Sequence, residues 1–122
     1  MEKRKTLVIG ASENPERYSN KAIVHLRKYG HPVVAVGLRE GQVGDVKIEK
    51  GQPAFEAIHT VTLYVNPTNQ AAYQAYILSL KPQRVIFNPG TENPAFMQEL
   101  EQAGIEADPA CTLVLLASNQ FS

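Results

Sequence analysis

Hydrophobic residues along this chain occur in two rhythms. Short continuous runs, Thr6 to Ile9, Val33 to Val36, Val61 to Val65 and Arg84 to Phe87, suit strands buried on both faces, as in a parallel sheet. Between them the apolar positions recur every three or four residues. Ala22, Ile23, Leu26 and Tyr29 make one stripe on a helix that ends near Gly30, and Pro32 marks the turn behind it. Tyr73, Tyr76, Ile77 and Leu80 fall at i, i+3, i+4 and i+7 of a helix running from Thr68 to Leu80, stopped by Lys81-Pro82. Asn93 caps a third helix with Pro94 at its first position, Phe96, Leu100 and Ala103 on its inner face and Gly104 at its end. Ala54 to Ile58 reads as one helical turn, Ile105 to Ala107 as a short fifth strand and Cys111 to Ala117 as a closing helix. Gln42 to Pro53 is the least regular stretch, with Val46-Lys47-Ile48 as a short extension inside it.

Strands alternating with helices imply right-handed crossovers. The fold class that follows is α/β: a Rossmann-like, doubly wound parallel sheet of about five strands in three α/β/α layers, built as one domain over residues 1–122. Ligands of such sheets lie beyond the carboxyl ends of the strands, where the strand order reverses. The strand exits here are rich in turn formers: Gly10-Ala11-Ser12, Gly37-Leu38-Arg39, Asn66-Pro67 and Asn88-Pro89-Gly90. Four of the eight prolines follow asparagine, at Asn14, Asn66, Asn88 and Asn93. Asn-Pro stiffens a turn and also caps a helix, so these pairs read equally as ligand-shaping loops and as chain punctuation.

The stretch from Thr6 to Lys21 carries the main candidate site. A buried strand opens at Gly10 into small residues and then a polar loop to Ser19, which reads as the N-cap of the next helix. Such a start gathers unpaired N–H groups at the positive end of a helix dipole, where phosphate binds. The dinucleotide fingerprint Gly-x-Gly-x-x-Gly is met only at its first position, since Ser12 and Pro15 occupy the other two. The second strand exits without the acidic residue that holds the ribose of NAD, and Arg39 suits a ribose phosphate instead. An NADP-dependent reductase is therefore one alternative reading. A Walker loop is excluded because no Gly-Lys-Ser/Thr follows Gly10 at the required spacing.

Composition narrows the classes further. Twelve basic residues balance twelve acidic ones, so no general attraction to nucleic acid or anionic membrane is expected. Lys3-Arg4-Lys5 is the one basic cluster and reads as a solvated end. The apolar run behind it is too short for a secretory signal, and no segment approaches membrane-span length. A single cysteine, Cys111, suits a reducing compartment, with the cytoplasm as the default. His25 reads as a surface residue, while His31 precedes Pro32 in a turn and His59 precedes the third strand. None is paired by sequence with Cys111 or a serine in a triad, and no cluster has metal-ligand spacing.

Val8-Ile9-Gly10-Ala11-Ser12, Asn14-Pro15, Arg17, Ser19, Tyr64-Val65-Asn66-Pro67, Phe87-Asn88-Pro89-Gly90 and Ala103-Gly104-Ile105 together resemble the small stand-alone CoA-binding proteins. Those are similar to the N-terminal domain of the succinyl-CoA synthetase alpha subunit. The resemblance implies a Rossmann-like domain that binds coenzyme A or an acyl-CoA, with no metal and no catalytic centre of its own, because the phosphorylated histidine of the synthetases sits in a second domain. It implies that Gly10, Ala11, Ser12, Arg17 and Ser19 surround the pyrophosphate, with Gly37, Leu38 and Arg39 by the adenosine and Arg39 near its 3′-phosphate. Val65, Asn66 and Pro67 would wall the adenine, and Asn88, Pro89 and Gly90 would line the pantetheine path. Cys111 then reads as a packing residue or as a neighbour of the CoA thiol. The chain departs from the family pattern at Gly37-Leu38 and at Val65-Asn66, which leaves a protein-interaction module on a nucleotide-binding fold as the second alternative.

Overall fold

In the computed structural model, which describes residues 2–122, strand β1 (Thr6–Ile9) is buried along its whole length. It pairs in parallel with β2 (Val33–Val36) on one edge and with β5 (Thr60–Leu63) on the other. Alternate residues serve opposite faces: Leu7 and Ile9 join one core and Val8 the other. Helices α3 (Gln74–Leu80) and α4 (Pro94–Gln102) cover the first face through Tyr76, Ile77, Phe96 and Leu100. Helices α1 (Tyr18–Lys28) and α5 (Thr112–Ala117) cover the second through Ile23, Leu26 and Leu116. This is the expected three-layer arrangement.

The sheet has seven strands rather than about five, in the order β3 (Gly41–Val43), β4 (Val46–Glu49), β2, β1, β5, β6 (Arg84–Phe87) and β7 (Glu106–Pro109). The additional pair comes from the stretch after the second strand. There β3 (Gly41–Val43) and β4 (Val46–Glu49) form an antiparallel hairpin, with β4 parallel to β2. Gly44, at φ +58, turns the chain between Val43 and Val46, so Gly44-Asp45 was the hairpin signal in a stretch that otherwise looked irregular. Arg27 on α1 donates from Nε and Nη2 to the Asp45 carboxylate at 3.0 and 2.7 Å and ties the hairpin to the helix. Strands β6 (Arg84–Phe87) and β7 (Glu106–Pro109) complete the other half in parallel.

Other elements differ from the periodicity in instructive ways. The helix expected over Thr68 to Leu80 is broken into α2 (Pro67–Gln70), a 3₁₀ turn (Ala71–Tyr73) and α3. The break follows Gln70, whose amide turns inward to donate to the carbonyls of Val65 (3.0 Å) and Thr91 (2.6 Å). No helical turn forms at Ala54 to Ile58, because Ala57 takes φ +56; the segment is held by the Tyr76 hydroxyl, which donates to the Pro53 carbonyl. Ala103 is exposed at the end of α4, and β7 starts one residue later and ends two residues later than the apolar run suggested. The closing helix is present as α5.

The basic N-terminal cluster is not a solvated end. Lys3 Nζ donates to the Tyr29 carbonyl at 2.6 Å and Lys5 Nζ to the Glu56 carbonyl at 2.7 Å, while the Arg4 amide donates to His31 Nδ1 at 2.9 Å. Accepting that bond fixes the proton of the fully buried His31 on Nε2, edge-on to Phe121 with ring centroids 4.8 Å apart. Burial first, then the nearby Lys3, Arg84 and Arg4 charges, lowers the His31 pKa, and burial and the arginines lower that of His59. Both groups therefore bind protons more readily in the unfolded chain. Stability is expected to be level above the ordinary histidine pKa of about 6.5 and to fall as pH drops below it. Thermal unfolding measured from pH 8 to 5 checks this, and the decline should be shallower in His31→Gln, which is less stable at neutral pH.

Candidate functional site at the carboxyl ends of the strands

Strand register brings the sequence-selected loops to one edge. Ile9 lies beside Val36 and Leu63, and Leu63 lies beside Phe87, so the exits of β2, β1, β5 and β6 leave the sheet at one level. The chain winds outward from β1 through β2 to β4 and then crosses back to β5. Strand order therefore reverses between β1 and β5, so the edge where such sheets generally take ligands is the one at Gly10 and Tyr64.

Two close backbone approaches shape that crevice. Gly10 has φ +92, and a Cβ there would lie 2.9 Å from the Tyr64 carbonyl oxygen. At Gly37 a Cβ would overlap the carbonyl oxygen of Ala11. The amides of Gly10 and Ala11 both donate to the Val36 carbonyl, at 2.9 and 3.0 Å, so they extend the sheet instead of pointing at a ligand. What these small residues provide is closeness of backbone rather than free donors.

The loop beyond is braced by its own side chains. Ser12 Oγ accepts from the Asn14 amide at 3.0 Å, Asn14 Oδ1 accepts from the Glu16 amide at 3.0 Å, and Asn20 Nδ2 donates to the Ser12 carbonyl at 3.0 Å. Glu13 accepts from the Gln42 amide at 2.9 Å, which joins the loop to β3. The N-cap of α1 is Arg17, with φ −77 and ψ 140, and not Ser19. The turn from the Asn14 carbonyl to the Arg17 amide puts the last extended residue at position 17, so Ser19 sits buried in the first helical turn. No side chain caps this helix and no acidic residue occupies its first turn. With the exposed Arg17 beside it, this helix start is suited to an anion.

The remaining exits divide between rim and framework. Leu38 is 88% exposed and Arg39 is exposed, while the Gly37 amide is bonded to the Glu49 carbonyl at 3.0 Å. Asn66 caps α2, accepting from the Asn69 amide at 2.9 Å, with Pro67 as the first helical residue and Val65 half-buried beneath. Asn88 is 2% exposed and its amide is fully engaged: Nδ2 donates to Thr62 Oγ1 (2.7 Å) and the Leu63 carbonyl (2.8 Å), and Oδ1 accepts from the Thr112 amide (2.9 Å). Its carbonyl takes the Thr91 hydroxyl at 2.7 Å. Of that exit, only Pro89 and Gly90 are exposed. Asn88 thus builds the loop that a ligand would pass and does not itself face it.

Thr62, Thr112 and Gln70 were not distinguishable as framework residues in the sequence, because threonine in a strand is ordinary and a lone glutamine carries no pattern. Burial raises the Tyr64 pKa to about 12, which keeps that phenol neutral beside the half-buried Cys111. His31 and His59 lie at the amino ends of the strands, away from the crevice. Among the described residues, no group of three or more His, Cys, Asp or Glu side chains is placed to hold a metal ion, and no helix is long and apolar enough to cross a membrane.

A doubly wound sheet with a helix start open to anions at its switch point defines a nucleotide-ligand type of domain. The chain belongs to the family described as CoA binding domain, whose model matches residues 4–117. It is similar to an uncharacterized protein of known crystal structure at 45% identity and TM-score 0.96, covering 99% of this chain and 100% of that one. A protein from Thermus thermophilus, cell-free ID.343, shares the fold at 20% identity and TM-score 0.85, over 98% of this chain and 91% of that one. So does the PH1109 protein redesigned for binding, at 22% identity and TM-score 0.85, over 97% and 84%. No curated protein gives a significant match.

Gly37→Ala drives a methyl group into the Ala11 carbonyl and should cost about 1–3 kcal/mol. Asn88→Ala leaves the buried Thr112 amide and Leu63 carbonyl short of a partner, at about 1–3 kcal/mol for each group left unpaired. Urea unfolding of the two variants measures both losses, and Asn66→Ala, which removes only an exposed cap, should cost less than Asn88→Ala.

Proposed function

We propose that this protein binds coenzyme A, free or acylated, in the crevice between the exits of β1 and β5, and that it has no catalytic centre of its own. Membership of the CoA binding domain family over residues 4–117 carries this reading. The site geometry supports it. A pyrophosphate would meet the uncapped start of α1 and the forked cation of Arg17, a charge-assisted arrangement that needs no metal. Gly10 and Ala11 set the level at which the loop leaves the sheet, Ser12 braces that loop, and Ser19 underpins the helix turn beneath the pyrophosphate.

Gly37, Leu38 and Arg39 would receive the adenosine, with Leu38 as an exposed apolar surface and Arg39 reaching the 3′-phosphate. Val65, Asn66 and Pro67 form the opposite wall. Pro89 and Gly90 offer the pantetheine arm a path over the framework that Asn88 builds. The caps, small residues and arginines at this edge support a binding role. The lone half-buried cysteine fits a reducing compartment, and we place the protein in the cytoplasm.

Thermal unfolding with CoA, 3′-dephospho-CoA and NADPH tests the reading. CoA at about 100 times its Kd should stabilise the fold by roughly 2.7 kcal/mol, seen as a rise of several degrees in Tm. Dephospho-CoA should give a smaller rise, and Arg39→Ala should remove the difference between the two. Arg17→Ala should weaken both by roughly tenfold or more, the loss of one hydrogen bond to a charged group. A rise with NADPH and none with CoA would overturn the proposal.

A further inference from the structure

Four buried side-chain polar atoms lack a hydrogen-bond partner among the described residues, and three of them, Arg4 Nε, His31 Nε2 and Arg84 Nη2, belong to one cluster. The cluster lies at the amino ends of the strands, opposite the CoA crevice. Buried donors are almost always paired, so two unpaired guanidinium N–H groups at one place call for an acceptor. The ring of Phe121 accounts for His31, which meets it edge-on. The same ring lies under the Arg84 guanidinium at 4.5 Å, a cation–π contact rather than a hydrogen bond, and no such ring lies under Arg4 among the described residues.

Their side chains are held in place by neutral groups. Arg4 Nη1 donates to His59 Nε2 at 3.1 Å, because arginine has no acceptor to offer. The His59 proton is therefore on Nδ1, which donates to Thr60 Oγ1 at 2.7 Å, and the same hydroxyl accepts from Arg84 Nε at 3.2 Å. Thr60 and His59 thus bridge the two guanidinium groups without neutralising either. Burial lowers the His59 pKa and keeps the ring in the neutral form this bridge requires. Arg84 makes no ion pair within 4 Å among the described residues and lies over the Phe121 ring at 4.5 Å, while the acid that pairs with Arg4, Glu2, is 76% exposed.

A pocket of about 280 Å³ opens between them, lined by Arg4, His59, Gln83, Arg84, Glu106 and Phe121, among others. Two fixed guanidinium groups match the oxygens of a tetrahedral anion. Glu106 lies on the same wall and can only accept a hydrogen bond, so it favours an anion that carries its own O–H. Phosphate does at neutral pH; sulfate does not. We propose that this amino-end pocket is a second ligand site, which binds inorganic phosphate between Arg4 and Arg84.

The test is an NMR titration of the whole protein with inorganic phosphate at constant ionic strength, following the Nε–H signals of Arg4 and Arg84 and the His59 ring. Sodium sulfate and sodium chloride serve as parallel titrants, and glycerol 3-phosphate distinguishes a phosphomonoester from the free ion. Saturable shifts at these three side chains, with the amides of Ser12 to Ser19 unmoved, are the expected result, and sulfate should bind more weakly. Arg4→Gln should weaken phosphate by about tenfold or more, the loss of a charged hydrogen-bond partner. That variant keeps the backbone bond from residue 4 to His31, and an otherwise unchanged amide spectrum verifies its fold. Arg84→Gln gives an independent second measurement. Shifts that fail to saturate, that chloride reproduces, that survive Arg4→Gln at full affinity, or that occur only at the start of α1 would overturn the proposal. Sulfate binding as tightly as phosphate would overturn the assignment to phosphate.

Discussion

Backbone lies directly on backbone where the central strand ends. The Gly10 position faces the Tyr64 carbonyl, and Gly37 faces the carbonyl of Ala11. These approaches hold the exits of β2, β1 and β5 at one level and carry β1 past β2, so that two successive amides share the Val36 carbonyl. The crevice, the direction in which α1 leaves, and the placement of Arg17 at its start depend on that geometry. A side chain at either glycine would separate layers that the rest of the molecule needs in contact.

Around this junction the buried polar groups form connected systems. At the carboxyl ends, Thr112, Thr62 and Asn88 join through the Thr91 segment to Gln70, whose amide oxygen accepts from Asn93 Nδ2 at 3.1 Å. The members of this system satisfy one another beneath the β6 exit, while the nearby buried Tyr64 hydroxyl has no partner among the described residues. At the amino ends, Arg4, His59, Thr60 and Arg84 are also connected, yet two N–H groups there remain without partners. A closed network holds a framework still, and an open one keeps binding capacity in reserve. The same sheet thus presents two chemically distinct edges.

Much of this was legible in particular residues. The four strands of the central sheet, the helix stripe at Ile23 and Leu26, and the Asn93-Pro94 cap are local features, read from period and turn chemistry. The exits at Gly10, Gly37, Asn66 and Asn88 were identifiable as one edge because parallel strands point the same way. What those residues do there was less legible. Asn66 and Asn88 stand in the same Asn-Pro context, yet one is an exposed cap and the other is buried with every amide atom bonded. Arg4 lay in a basic triplet that looks solvated, and only the approach of His31 and His59, 27 and 55 residues away, draws it inward.

Sequence alone determined the alternation of buried strands and amphipathic helices, hence the layered α/β class, because hydrophobic period is a property of neighbouring positions. It also determined which glycines and Asn-Pro pairs stand at strand ends. Tertiary structure decided the antiparallel hairpin at the edge, the break after Gln70, and which amides and guanidinium groups are spent and which are left open. Those outcomes depend on partners far apart in the chain, and a hydrogen bond is satisfied or left open only by the groups that folding brings within about 3 Å of it.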